Sequence, residues 1–312
     1  MAPTPIGLGL YVQDVPAALD LVGRAEQAGV ESAWMVMGPA GYDTPTLAAA
    51  ALARTRDLRI GTSIVPAFTR HPLALATQAV VLAQLAPGRF RLGIGTGNLA
   101  VMAEGFGTPL DRPVARMREY LDVLRPALAT GEVRHPGRYY GVDAALPAAG
   151  PQDIHVAAMG PHMFALAGEL ADGAMSWMCP LDHLDAVARP ALARGAARAG
   201  RPVPPLVTHL TAVVEPDPRR AREIARPLVR GFGTIAPFAA QFAAAGMPVG
   251  HDGAPSDELV DAVIVSGDEA GLTDVLAKLA EREDELLVTL QPSADPRADE
   301  DTLLRVLARL RD

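Results

Sequence analysis

Few residues in the chain have the types and spacing that chemistry demands, and they gather where apolar runs end. "FRLGIGTGN" (Phe90–Asn98) leads from a strand-like run into Gly93, Gly95 and Gly97, with Thr96 and Asn98 beside them. Glycines so placed allow a phosphate cradle, a close approach of the backbone to a flat ring, or relief of crowding between strands. A nucleotide P-loop would need a following Lys-Ser/Thr, and a dinucleotide fold an acid about 20 residues on; neither occurs. "MGPHM" (Met159–Met163) sets Gly160 and Pro161 at the start of a helical pattern, Pro being favoured in a first turn. Free N–H groups and the dipole at such a start suit a phosphate; an ordinary strand-to-helix turn is the competing expectation.

The seven histidines show no ligand spacing with Cys, Asp or Glu, so no metal site is expected. No G-x-S-x-G elbow occurs, and nothing marks the single cysteine, Cys179, as a nucleophile. Taken singly, His155 and His209 fall inside strands and read as wall residues. Arg112, Arg116 and Arg118 lie in "DRPVARMREYL", where a solvated helix face with i,i+4 pairing competes with anion binding.

Eight apolar runs read as strands: Ile6–Tyr11, Ser32–Met37, Leu58–Val65, Phe90–Gly95, Ile154–Met159, Gly173–Met178, Val207–Val214 and Glu285–Leu290. Amphipathic patterns lie between them. In the first, Leu21, Val22, Ala25 and Ala28 share one face and Gly29 stops the helix. Strict alternation implies a parallel sheet, and eight units imply a single α/β (β/α)8 TIM barrel over 1–312; a doubly wound sheet has the same periodicity. Insertions are expected after strands 4 and 7. The first, about 99–153, holds a helix (Pro113–Leu128) and a hairpin around "RHPGRYYGV"; the second, about 231–260, is rich in Gly and Pro and should cap one end. In a barrel the chemistry gathers at the strands' C-terminal ends. That selects Met37, Gly38, Tyr42 and Asp43 after strand two, "GTSIVPAFTRHP" after strand three, "GTGN" after strand four, "MGPHM" after strand five and "WMC" after strand six.

The chain has 312 residues, 49% of them hydrophobic, and a formal net charge of −8. The negative balance argues against nucleic acid or an anionic membrane surface as partner. No apolar run of about 18 residues reads as a span, and the N-terminus lacks a basic signal region. One cysteine fits a reducing cytoplasm. "TPTLAAAALA" (44–53) and "PLALATQAVVLAQLAPG" (72–88) carry no charge, although outer helices of a barrel should face water with polar groups. A homodimer through helices 44–53 and 72–86 is therefore expected.

"LRIGTSIVPAFTRHPLALATQAVVLAQLAPGRFRLGIGTGN" resembles the hallmark segment of the bacterial luciferase-like superfamily, barrels that bind FMN or the deazaflavin coenzyme F420. "DRPVARMREYLDVLRP" and "VAAMGPHMFALAGELADGAMSWM" are similar to its F420-dependent oxidoreductase branch. The resemblance implies that Gly95, Thr96, Gly97 and Asn98 line the cofactor, with Met37, Gly38, Pro66, Ala158, Met159 and Trp177. It matches Ser63–Ile64 to a non-prolyl cis peptide behind the ring, and Gly160, Pro161 and His162 to a phosphate contact. Many F420-dependent relatives carry an Asp-His pair where Met37 and Gly38 stand here, and a sugar-phosphate-oxidising relative has a glutamate at Asn98. The implied activity is hydride transfer between F420 and a small substrate, with an activated C=C or C=N favoured over a sugar phosphate. Tyr42, Asp43 and His155 are the candidate proton donors, and Arg112 and Arg116 the candidates for an acidic substrate or the cofactor's anionic tail. An FMN-dependent monooxygenase, or a non-catalytic flavin or deazaflavin carrier, are the alternatives.

Overall fold

The structure is a computed structural model that describes residues 4–37, 41–107 and 111–311. Eight parallel strands close into a barrel: β1 Ile6–Tyr11, β2 Ser32–Val36, β3 Arg59–Ser63, β4 Phe90–Gly95, β5 Ile154–Ala157, β6 Gly173–Met175, β7 Leu206–Val214 and β8 Glu285–Leu290. They pair in sequence order, and closure comes from β8 pairing with β1 and β6 with β7. Closure settles between the barrel and the doubly wound sheet. Strand ends fall one to three residues short of the apolar runs at β2, β5 and β6, because there the chain leaves the ladder and turns over the mouth.

The expected third run is broken. β3 ends at Ser63, the Ser63–Ile64 peptide is cis, and a short stretch, Val65–Pro66, then pairs with Ile94 and Gly95 of β4. Helices form where the pattern and the caps agree. Asp14 accepts the Ala17 N–H at 2.8 Å to start Val15–Gln27, which buries Ala18, Val22 and Ala25. Gly29, at φ 80°, takes the left-handed conformation beyond its end.

The insertion after β4 holds helices Leu99–Phe106 and Pro113–Ala129 and an antiparallel hairpin, Glu132–Pro136 with Gly141–Ala145. That after β7 is more regular than its composition suggests. It contains helices Pro218–Gly233, Ala236–Ala244 and Asp257–Val263, then a strand, Ile264–Gly267, parallel to the upper part of β7. The main core lies between barrel and helices, a smaller one under the insertion after β7, and a third inside the barrel around Trp34, Ile64, Met175, Val207 and Leu287.

Candidate active site

Residues of one strand that are two apart point to the same side, so the barrel interior is built in layers. In the lowest layer Arg91 makes a bidentate pair with Glu285, at 2.6 and 2.9 Å, and its Nη2 also donates to His155 Nε2 at 2.9 Å. The guanidinium lies 4.7 Å from the Trp34 ring centre. Acceptance at Nε2 leaves the His155 proton on Nδ1, which has no partner. Burial, then Arg91, hold the His155 pKa well below its ordinary value. This imidazole is neutral, locked and beneath the floor of the site.

Above it opens a cavity of about 920 Å³, solvent at its mouth included. Of the residues implicated from sequence, Met37, Ser63, Ile64, Thr96, Gly97, Asn98, Ala158, Met159 and Trp177 line it. Gly38 lies outside the described residues. Pro66 sits in the Val65–Pro66 pairing and Gly95 at the end of β4, both just off the wall. A Cβ on Gly95 would lie 3.0 Å from Ala157 Cβ and 3.2 Å from Ile64, and one on Gly93 only 1.9 Å from the Thr62 carbonyl oxygen. Those two glycines therefore answer to packing within the barrel. Gly97, at φ 64°, is the one whose backbone requires glycine.

None of the three candidate donors reaches the cavity. Tyr42 is half exposed, its hydroxyl donating to the Gln13 carbonyl at 3.3 Å. Asp43 caps helix Thr44–Leu52 through the Thr46 N–H and pairs with Arg70 at 2.9 Å. Its carboxyl is held below its ordinary range because those bonds outweigh desolvation, which acts the other way and is the largest single influence. His155 is the layer below.

Tyr11, His209, Phe232, Ile235 and Phe238 also line the cavity, with Val36, Ala157, Met175 and Ser176. Tyr11 ends β1 by the same rule that selected the other strand ends. Phe232, Ile235 and Phe238 come from the insertion after β7 and have no local signature. Gln241 ties that insertion down, donating to the Met178 carbonyl at 2.7 Å. Trp177 packs between His209, tilted at 51° with ring centres 4.2 Å apart, and Phe232, edge-to-face at 5.5 Å. Cys179 is buried, its thiol pushed up to about 12, which leaves no thiolate to react. Among the described residues no Lys, Arg, Asp or Glu lines the cavity, and no group of His, Cys, Asp and Glu could hold a metal ion.

A second, more open groove adjoins across the loop after β5. Pro161 and His162 line it together with Arg112, Arg118, Arg194, Arg198 and one acid, Glu119. Gly160 caps helix Pro161–Leu170 with no side chain on its N–H groups, and nothing lies within 4 Å of where its Cβ would be. Arg118 is engaged by Glu169, bidentate at 2.6 Å. Arg116 lies elsewhere, over the Phe68 ring and bonded to the Tyr140 hydroxyl.

A family model described as "Luciferase-like monooxygenase" matches residues 1–287. An F420-dependent glucose-6-phosphate dehydrogenase of Nakamurella multipartita is 34% identical over 244 residues, 71% of each chain. A 5,10-methylenetetrahydromethanopterin reductase of Methanopyrus kandleri is 29% identical over 222 residues, 64% of this chain and 63% of its own. Among solved structures, an F420-dependent secondary alcohol dehydrogenase with an F420–acetone adduct aligns over 100% of both chains, with a TM-score of 0.83 and 22% identity, a likeness of fold.

Proposed function

The chain belongs to the luciferase-like monooxygenase family, and we propose that it is an F420-dependent oxidoreductase that moves a hydride between the cofactor and a small, largely apolar substrate, with an activated C=C or C=N as the acceptor. When bound, F420 supplies two-electron hydride chemistry at C5 of its deazaflavin. Ser63 and Ile64, which share the cis peptide, and the wall from Thr96 to Asn98 would hold the ring. The uncapped N–H groups at Gly160–His162 would take the phosphate, and the groove with Arg112, Arg194 and Arg198 the anionic tail beyond it. Trp177 and the phenylalanines of the insertion would exclude water from the substrate's side.

The observation that carries the substrate class is the uncharged lining. A phosphate buried there would have no cation to meet, while a neutral unsaturated compound loses little on leaving water.

Fluorescence titration with F420 and with FMN tests the cofactor. F420 is expected to bind more tightly, and Gly160→Asp to weaken it by about 1–3 kcal/mol through lost contacts and like-charge repulsion. The open space at Gly160 lets that variant fold. Tighter FMN binding with oxygen consumption would instead make the protein a monooxygenase, and F420 binding without turnover a carrier.

Helices Thr44–Leu52 and Pro72–Leu85 support pairing of two copies. Their outer faces expose Thr46, Ala74, Thr77, Gln78, Val81, Gln84 and Leu85, with no charge among them. Val81 and Leu85, at 60% and 47% exposure, are among the few large apolar side chains left in water. Light scattering at micromolar concentration should give a dimer, and Val81→Arg a monomer; a monomeric parent protein would refute the pairing.

A further inference from the structure

We propose that His209, held by Thr289, is the hydrogen-bond donor that receives the acceptor atom of the substrate. The inference rests on the ring lying against β3 and β4. Strands four apart in an eight-stranded barrel face each other, so β7 stands opposite β3. A ring laid on Ser63, Ile64 and Gly97 leaves the substrate between itself and the wall made by Trp177 and His209.

Three polar groups around the cavity are committed to backbone. The Thr96 hydroxyl donates to the Gly97 carbonyl, the Asn98 carbonyl accepts the Ala100 N–H, and the Ser176 hydroxyl serves the Val207 carbonyl and the His209 N–H. His209 differs. Its Nε2 lies 2.6 Å from Thr289 Oγ1, and we assign the tautomer from the partners each direction would leave. If Nε2 donated, the Thr289 hydroxyl proton would need a second acceptor, and no hydrogen bond supplies one. If Thr289 donates, its hydroxyl proton is placed and the donor left over is Nδ1–H, on a ring that lines the cavity. Gly9 makes the pair possible: a Cβ there would lie 2.1 Å from Thr289 Oγ1 and 3.3 Å from His209 Nε2. Packing against Trp177, with ring centres 4.2 Å apart, restricts the imidazole from its other side.

Burial pushes the imidazole down to about 3, so it is a neutral donor at ordinary pH. Hydride addition to a carbon of a conjugated ketone or imine leaves negative charge on its oxygen or nitrogen. A preorganised N–H stabilises that charge, and water supplies the proton that completes the reduction. The substrate class narrows accordingly, to unsaturated compounds with one hydrogen-bond acceptor conjugated to the reacting carbon.

Two measurements test the assignment. Long-range ¹H–¹⁵N spectra of histidine-labelled protein should show His209, identified by its loss in His209→Asn, protonated at Nδ1 and bare at Nε2. With 2-cyclohexen-1-one and reduced F420, His209→Phe should lose about 10²–10³-fold in kcat with unchanged F420 affinity, and His209→Asn, which keeps an N–H near the Nδ1 position, should recover most of it. The Nε2–H tautomer would overturn the proposal. So would parental turnover by His209→Phe, or a loss carried by Tyr11→Phe instead. Failure of the parent protein to bind F420 would overturn the cofactor reading, and this assignment with it.

Discussion

Arg91→Met is expected to cost about 3–5 kcal/mol of stability, because it strands a buried carboxylate. Arg91 and Glu285 come from β4 and β8, on opposite sides of the barrel, and both are buried with little water to share their charge. The guanidinium satisfies both Glu285 oxygens and the His155 Nε2 at once. Removing it leaves the carboxylate and the imidazole without donors in the layer beneath the cavity. Paired removal, Arg91→Met with Glu285→Leu, should be far less harmful, since no ion then remains to be desolvated. Urea denaturation of the two singles and the double variant measures the coupling. A loss below about 1 kcal/mol in Arg91→Met would show that the pair adds nothing to the barrel.

Selection against sugar phosphates should be the largest effect on activity. The relative from Nakamurella multipartita is named for glucose 6-phosphate, yet among the described residues no cation lines the cavity here. Stranding a phosphate without a partner costs several kcal/mol, and each 1.36 kcal/mol is tenfold, so discrimination of at least about 10³ is expected. The comparison is kcat/KM for reduced F420 with 2-cyclohexen-1-one against oxidised F420 with glucose 6-phosphate. Preference for the sugar phosphate would mean that the substrate meets a cation at the rim, and the apolar reading of the cavity would fall.

Much of the fold was legible in order along the chain. Each barrel strand is buried on both faces, so its apolar run stands out, and several helix starts carry their own cap, as Asp14 and Asp43 show. The same local logic located Met37, Ser63, Ile64, Gly97, Asn98 and Trp177, all at strand ends, and "GTSIV" marked the cis peptide through its resemblance to relatives. The helices and extra strand after β7 were less legible, because short amphipathic segments between Gly and Pro look like loop.

What sequence by itself determined is therefore which strand-end residues stand near the mouth: position along a strand and distance from its end are properties of the chain. What only the tertiary structure decided is who faces whom. His155 and His209 are both histidines inside strands, and nothing local separates them. Closure sets Arg91 from β4 and Glu285 from β8 against one, and Thr289 from β8 and Trp177 from β6 against the other. Burial in the closed barrel keeps both histidines neutral, and a partner from a distant strand sets each one's tautomer and reach, so one became part of the floor and the other a donor in the wall.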